Sequence, residues 1–144
     1  MNLFGMLELS GGAMAAERQR AEVVTGNMAN AETTRTPEGG PYKRRLVLFR
    51  ARRTPEFPLM LAGLRNVSAR GVRVDQVVND PSAPLQRFQP GHADADAKGY
   101  VAYPAINPVE EMTDLLGAVR SYELNAAAVQ AAKNMLQQSL DILR

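Results

Sequence analysis

The chain has 144 residues, of which 45% are hydrophobic and 22% are charged, and its formal net charge is +2. This length suits one ordinary domain or a small domain with extensions, and the composition excludes a chain that is disordered throughout. The sequence contains no Cys, which excludes disulfides, thiol catalysis and Cys-based zinc sites.

The N-terminal segment predicts a long helix over about residues 3–31. Apolar side chains recur there at the spacing of a coiled-coil seam: Leu3, Leu7, Met14, Ala21, Val24 and Met28. The run 10–12, Ser-Gly-Gly, interrupts this pattern, and each interior Gly costs about 1 kcal/mol relative to Ala. Together with the alanines that follow, these small residues predict a groove into which another backbone packs closely.

We expect neither a membrane span nor a cleaved signal peptide at this end. Charged side chains such as Glu8, Glu17 and Arg18 lie within the apolar stripe. The first two residues carry no basic side chain, and no uninterrupted apolar core of seven residues follows them.

The middle of the chain predicts a small β-rich region. Turn-forming residues fill 32–41. Four short runs then favour strands, namely 45–50, 71–78, 85–88 and 99–103. Residues 54–66 include two prolines and favour neither helix nor strand.

Basic side chains are concentrated in this middle region. Residues 43–73 carry nine Lys or Arg against one acid, whereas residues 1–42, 74–106 and 107–144 each sum to −2. A localised positive charge of this kind predicts contact with nucleic acid, anionic lipid or an acidic protein. We call its strand-proximal part the basic belt, which comprises Arg44, Arg45, Arg50, Arg52 and Arg53. In an alternating strand these residues bracket packed apolar side chains rather than line a groove, and no aromatic platform or recognition helix accompanies them, so we expect no nucleic acid.

The C-terminal segment predicts a second long helix. Asn107 suits the N-cap position and Pro108 the first helical position. Glu110 and Glu111 in the first turns suit the helix dipole, and we interpret them as solvated or intersubunit charges. Ten positions follow 3- and 4-residue steps, and all but Lys133 are apolar. They are Met112, Leu115, Val119, Tyr122, Ala126, Val129, Lys133, Leu136, Leu140 and Leu143. Such a helix is on the order of 50 Å long. The two terminal stripes must therefore pack on each other, on neighbouring copies, or on both.

The sequence offers little for catalysis or for binding a cofactor. His92 is the single His, and a metal site there would need more ligands than Asp94 and Asp96 in the same loop. The sequence contains no Gly-x-Ser-x-Gly motif and no glycine-rich phosphate loop. We expect no enzyme activity, no cofactor, no metal and no small-molecule substrate.

Several segments, in order along the chain, resemble the bacterial flagellar rod and hook proteins. The run TGNMANAETT at 25–34 resembles the signature that closes the N-terminal helix of that family. The runs GGPYKR at 39–44, DADAKGYV at 94–101 and NPVEEM at 107–112 resemble its proximal rod proteins, and RSYELN at 120–125 matches its C-terminal helix. Departures include Gly26, where Ser is usual, and Met14, where Leu is usual. No motif of the family maps onto 50–73.

The resemblance implies a structural subunit of the proximal rod of the flagellar basal body. It implies two terminal helices that form a coiled-coil hairpin and a small β-rich insertion, so that the fold is mainly α. The chain is then expected to divide into an N-terminal helix at 1–34, a connecting loop with the β-rich middle domain at 35–106, and a C-terminal helix at 107–144. The implied partners are copies of the chain itself, other rod proteins, surrounding ring components and the export gate. The implied location is the periplasmic rod, reached by type III export without a cleaved signal.

The residues expected at subunit interfaces lie on the two terminal helices. They are Leu3, Leu7, Met14, Val24, Asn27, Met28 and Asn30 in the first helix, and Met112, Leu115, Val119, Tyr122, Asn125, Val129, Leu136 and Leu140 in the last. For Asn27 and Asn30, capping of the helix end is the simpler interpretation. The alternative function is a soluble coiled-coil adaptor whose basic belt binds an acidic protein or nucleic acid.

Overall fold

The computed structural model describes residues 3–53 and 69–142, and the side chains of 4–52 and 71–142. Two long helices enclose four strands in the chain. The elements are α1 (Leu3–Ala29), β1 (Arg45–Arg53), β2 (Ala69–Asn79), β3 (Leu85–Phe88), β4 (Tyr100–Tyr103) and α2 (Pro108–Ile142). These elements confirm the predicted order and types. Strand β1 pairs with β2 and β3 with β4, and both pairs, which we call the first and second hairpins, lie within the predicted β-rich middle. The ambiguous run 54–66 lies outside the described residues.

The two helices pack against each other in opposite directions. Asn27, near the end of α1, contacts Glu111 in the first turn of α2, and Arg20, two turns earlier in α1, contacts Asp114. At 1.5 Å per residue, α1 is about 40 Å long and α2 about 50 Å long. Small buried side chains mark the contact, with Ala16 on α1 and Ala118 and Ala132 on α2 at most 3% exposed. The terminal helices therefore pack on each other within one chain.

Helix α1 runs without a break through its two adjacent glycines, which confirms a single long helix, so the run 10–12 interrupts only the apolar pattern. A Cβ built on Gly12 would lie 3.4 Å from the carbonyl oxygen of Val72 in β2. Gly71 has a φ of +94°, and a Cβ there would lie 3.4 Å from Cδ1 of Leu9. The helix and the strand thus approach at backbone distance, which confirms the predicted groove and explains why small residues occupy this part of α1.

Strands β1 and β2 form an antiparallel pair that lies against α1. The register runs from Arg45 opposite Asn79 to Arg53 opposite Ala69, with an irregularity where Leu48 pairs with Gln76 but Phe49 pairs with Val74. Asp75 is the extra residue on β2 at this bulge. Its carboxylate lies 2.7 Å from Arg50 on the neighbouring strand. The bulge therefore brings an acid to a cation of the basic belt.

Strands β3 and β4 form a second antiparallel pair, so the predicted single β-rich insertion is two separate two-stranded sheets. Val101 and Tyr103 point to the same side of this pair and are 0% and 8% exposed, respectively. Phe88 and Tyr100 lie opposite each other on the other side and are 64% and 43% exposed. The second hairpin thus has a buried face and an exposed aromatic face.

The turn after α1 connects the helices to the second hairpin. Gly39 and Gly40 have φ values of +88° and +74°, which places two successive residues in the left-handed region that Gly tolerates best. Asp94 in the β3–β4 loop accepts a hydrogen bond from the Thr34 hydroxyl at 2.8 Å and pairs with Arg35 at 2.8 Å. The predicted loop at residues 32–41 is confirmed, and Asp94 joins it to the second hairpin.

The start of α2 is capped as the sequence predicts. The Asn107 side-chain oxygen accepts a hydrogen bond from the N–H of Val109 at 3.1 Å, and its amide donates to Glu110 at 3.2 Å. This cap satisfies one of the N–H groups that the first turn of any helix leaves unpaired. It fixes where α2 begins and therefore which residues of its first turns face α1.

Candidate subunit interface

A buried polar cluster joins α1, α2 and β1 at the end of the helix pair where α1 ends and α2 begins. Asn27 is 1% exposed. Its side-chain amide donates to the carbonyl oxygen of Arg45 and to Oε2 of Glu111, both at 2.9 Å, and its oxygen accepts from the N–H of Arg45 at 2.9 Å. The hydroxyl of Tyr42 donates a further, longer bond of 3.3 Å to the same oxygen. One amide side chain thereby completes the backbone pairing at the first residue of β1.

The carboxylate of Glu111 lies at the centre of this cluster and is 1% exposed. Nε of Arg44 donates to Oε1 of Glu111 at 2.6 Å, and a second guanidinium nitrogen contacts the same oxygen. Asn27 binds the other oxygen. A buried carboxylate is tolerated when it is both neutralised and hydrogen-bonded, and Glu111 meets both conditions. We call Asn27, Arg44 and Glu111 the polar clamp.

Further charges surround the polar clamp. Arg20 of α1 binds Asp114 of α2 at 3.0 Å, and both side chains are partly exposed. Asp80, just after β2, lies 4.0 Å from Arg44, and its N–H donates to the Arg44 carbonyl oxygen at 2.7 Å. Hydrogen bonds from the hydroxyl and the N–H of Ser82 hold the pKa of Asp80 below its ordinary value. The clamp therefore also fixes the end of the first hairpin against the two helices.

The large apolar side chains of α2 lie mainly on a different face from the one that contacts α1. In its first half, four of them follow 3- and 4-residue steps and are exposed: Val109 at 73%, Met112 at 54%, Leu116 at 64% and Val119 at 43%. We call these four residues the exposed stripe. The buried residues Glu111 and Ala118 each lie one position before a member of this stripe. The face that contacts α1 is therefore rotated by about one residue from the seam that the apolar pattern predicts.

The structure divides the predicted interface residues into three groups. Exposed side chains are Met112, Val119, Tyr122 and Leu140; half-buried side chains are Leu7, Met14, Met28, Asn30, Leu115, Asn125, Val129 and Leu136; buried side chains are Val24 and Asn27. The side chain of Leu3 lies outside the described residues. Val24 and Asn27 hold the chain's own elements together, so the exposed group has the most surface to offer a neighbour.

The two asparagines at the end of α1 have different roles. Asn30 donates to the carbonyl oxygen of Gly26 at 2.9 Å and accepts from the Thr33 hydroxyl at 3.2 Å. It therefore binds the last turn of the helix, as the capping interpretation predicts. Asn27 caps nothing and belongs to the polar clamp.

Most of the described basic belt is paired with acids inside the chain. Arg44 binds Glu111, Arg50 binds Asp75 at 2.7 Å and Arg52 binds Glu8 at 3.2 Å. Arg45 instead lies over the ring of Tyr42, 5.8 Å from its centroid. The side chain of Arg53 lies outside the described residues. Local pairing accounts for three of the four described belt residues.

The loop that contains His92 is held by its own hydrogen bonds. Nδ1 of His92 accepts from the N–H of Asp94, and Asp96 accepts from the N–H groups of Lys98 and Tyr100 at 2.8 Å each. Within the described part of the chain, no three His, Asp or Glu side chains group as metal ligands would, and no helix is long and apolar enough to cross a bilayer.

Sequence reasoning missed the polar clamp. It treated Glu111 as a solvated or intersubunit charge, whereas the structure buries this side chain between α1 and β1. A usable signal was present, because Glu111, Ala118, Asn125 and Ala132 recur every seven residues. Small and polar side chains that recur at this spacing can indicate a close contact between helices, just as apolar side chains can.

Known proteins resemble this chain along its whole length. A family model described as the C-terminal part of the flagellar basal body rod FlgEFG proteins matches residues 97–142. The flagellar basal-body rod protein FlgC of Borreliella burgdorferi is 36% identical over 151 residues, covering 100% of this chain and 99% of that protein. FlgC of Bacillus subtilis is 36% identical over 149 residues, with 99% of each chain covered, and FlgC of Yersinia enterocolitica is 34% identical over 142 residues, covering 99% of this chain and 98% of that protein.

Proposed function

This chain belongs to the FlgC family of flagellar basal-body rod proteins and is a structural subunit rather than an enzyme, and we propose that it assembles into the proximal rod through the exposed stripe of α2. Membership of this family indicates that the chain assembles into the flagellar rod. The structure suggests which surface of this chain meets its neighbours there.

The single observation that carries the proposal is the exposure of the stripe itself. Val109, Met112, Leu116 and Val119 lie on one side of a helix whose opposite side is already packed on α1. A contiguous apolar surface of this kind marks a protein contact. Covering it with part of a neighbouring subunit would stabilise the assembly by roughly 25 cal/mol per Å² of apolar surface removed from water.

In the rod, we propose that the helix pair of one copy packs beside those of adjacent subunits. Tyr122 and Leu140 would extend the contact beyond the exposed stripe, and half-buried residues such as Leu115, Val129 and Leu136 would line the junction between the two helix pairs. Coiled-coil packing of the helices belongs to this assembled state. So does the division into a helical part, 1–34 and 107–144, and a middle part, 35–106.

The location and route that this function requires are also proposals. A rod subunit would be exported by the flagellar type III apparatus and would act in the periplasmic part of the basal body. Its further neighbours would include other rod proteins, a surrounding ring and the export gate. Antiparallel helices held by a buried clamp would form a stiff unit, which is what a shaft that transmits torque needs.

Substituting a residue of the exposed stripe tests this function. In cells that lack their own copy, Val119→Asp should abolish swimming and remove the chain from isolated basal bodies, while its level in the cell stays unchanged. Tyr122→Ala should have the same effect in weaker form. Gln138→Asp, on an exposed polar position of the same helix, is the matched control and should swim normally. Normal swimming by the Val119→Asp cells would show that the stripe is not an assembly surface.

A further inference from the structure

The outer face of the second hairpin carries an aromatic pair that remains exposed in the single chain. Phe88 and Tyr100 are directly opposite each other on β3 and β4, and their rings meet edge to face with centroids 5.4 Å apart. Gln86 and Ala102 are opposite each other on the same side, by the alternation of the strands. We call these four residues the hairpin face. None of them carries a charge.

The ring of Phe88 is fixed in place although 64% of the residue is exposed. A Cβ built on Gly99 would lie 2.9 Å from Cε2 of Phe88 and 3.1 Å from Cβ of Pro90. Gly99 has a φ of +81°, so a side chain at this position would be strained as well as obstructed. The ring therefore packs directly on Gly99 and beside the ring of Tyr100. An aromatic anchor that is already ordered loses little entropy on binding, and such anchors dominate many protein interfaces.

Within one chain the hairpin face and the exposed stripe are apart. Neither β3 nor β4 contacts α2, although all three elements lie in the described residues. Because both surfaces are exposed and lie apart, only a second molecule can bring them together.

Resting on the rod function proposed above, we infer that the hairpin face of one copy docks on the exposed stripe of the next copy. The two surfaces differ, so their contact is heterologous: each copy uses one surface to bind a neighbour and offers the other to the following copy. A heterologous contact continues from subunit to subunit, whereas either patch pairing with its own twin would close a dimer. An open-ended assembly such as a rod requires the first arrangement.

The chemistry of the two surfaces suits this contact. Four uncharged side chains meet four apolar ones, so docking buries no unpaired charge. Lys98, two residues before Tyr100, and Glu123, one turn beyond Val119, are exposed and make no ion pair with any described residue. Their opposite charges lie beside the two surfaces and would favour the heterologous contact over pairing of like surfaces.

Engineered cysteines test this contact cleanly, because the natural chain contains none. Gln86→Cys lies on the hairpin face and Thr113→Cys lies beside Val109 and Leu116, and both positions are exposed and leave the apolar side chains intact. In basal bodies isolated from cells that express the double variant, mild oxidation or a short bis-maleimide should give a ladder at multiples of the chain mass. Either single variant should stay monomeric, as should the control pair of Gln86→Cys with Gln138→Cys.

Each other result overturns the inference. A dimer from either single variant would mean that like surfaces meet. A product between the double variant and a different rod protein, without a ladder, would assign another occupant to the hairpin face. If the double variant gives no cross-link although Val119→Asp, tested separately, abolishes rod incorporation, the docking partner is rejected but the assembly function stands. Normal swimming with Val119→Asp would reject the assembly function itself.

Discussion

The two sides of α2 are built from different kinds of side chain. The side that contacts α1 buries Glu111, Ala118 and Ala132, which are 1%, 0% and 0% exposed. The outward side carries Val109, Met112, Leu116 and Val119, each at least 43% exposed. In an ordinary globular helix the large apolar residues would face the core. Here small residues and a buried charge make the contact with α1, and the large apolar residues named above remain exposed.

This difference separates folding from assembly. Small side chains let α1 and α2 approach closely, and the polar clamp fixes how they are aligned, because Glu111 is satisfied only when Asn27 and Arg44 are both in place. The apolar surface that would drive association is thereby kept for other subunits. Substitutions on the two sides should accordingly affect different measurements.

The largest expected loss of stability comes from removing the buried carboxylate. Glu111→Ala removes the buried acid that pairs with Arg44 and binds Asn27, and removing one partner of a buried ion pair costs about 3–5 kcal/mol. Urea unfolding of the full chain, followed by circular dichroism, measures the free energy of unfolding. Glu123→Ala, on the outward side of the same helix, should change it by less than about 0.5 kcal/mol. Equal midpoints for the two variants would mean that the clamp does not hold the fold.

A smaller loss is expected from filling the close helix contact. Ala118 has no exposed surface, so Ala118→Leu must push α1 away or adopt a strained rotamer, which costs about 1–3 kcal/mol. The matched control is Ala127→Leu, an exposed alanine on the same helix that has room for the larger side chain. The same unfolding experiment compares them. If Ala118→Leu were as stable as the control, the two helices would not be in close contact at this point.

Substitutions on the outward side should impair assembly and leave the stability of the single chain nearly unchanged. Val119→Asp, which is expected to abolish rod assembly, replaces an exposed residue and should change the free energy of unfolding by less than about 0.5 kcal/mol. A much larger change would mean that Val119 belongs to the core of the single chain, and a loss of swimming in this variant would then report misfolding. Together with Ala118→Leu, this variant decides whether folding and assembly use separate sides of α2.

The sequence predicted the elements well because they depend on local patterns. The Asn107-Pro108 start of α2, the four strand segments and the glycine turn at residues 36–41 all follow from residue types at fixed positions. The clamp could not be predicted in the same way. It joins Asn27, Arg44 and Glu111, which are 17 to 84 residues apart, and each of them separately suits a helix end, a basic strand or a solvated first turn.

The apolar pattern alone did not identify the face through which the two helices pack within the chain. Periodicity shows that one side of a helix is apolar, but it does not say whether that side meets the same chain or another copy. In α2 the strongest stripe points outward, and a weaker one of Glu111, Ala118 and Ala132 meets α1. A subunit that must bury surface twice, once on folding and once on assembly, carries two overlapping patterns in one sequence.

The smallest effect is expected at the edge of the clamp and depends on pH. Ser82 holds the pKa of Asp80 below its ordinary value of 3.8, so ionised Asp80 stabilises the folded chain. Because the folded pKa is the lower one, this contribution is complete above the ordinary pKa and is lost as the pH falls through the folded pKa. Asp80→Asn should therefore unfold at a lower temperature than the natural chain at pH 7, and the gap in unfolding temperature should narrow only once the pH falls below the ordinary pKa of 3.8. The control Asp141→Asn removes an exposed carboxylate near the far end of α2 and should show no such narrowing. A gap that stays constant down to pH 3 would mean that Asp80 acts through its shape alone, and that its charge adds nothing to the stability of the folded chain.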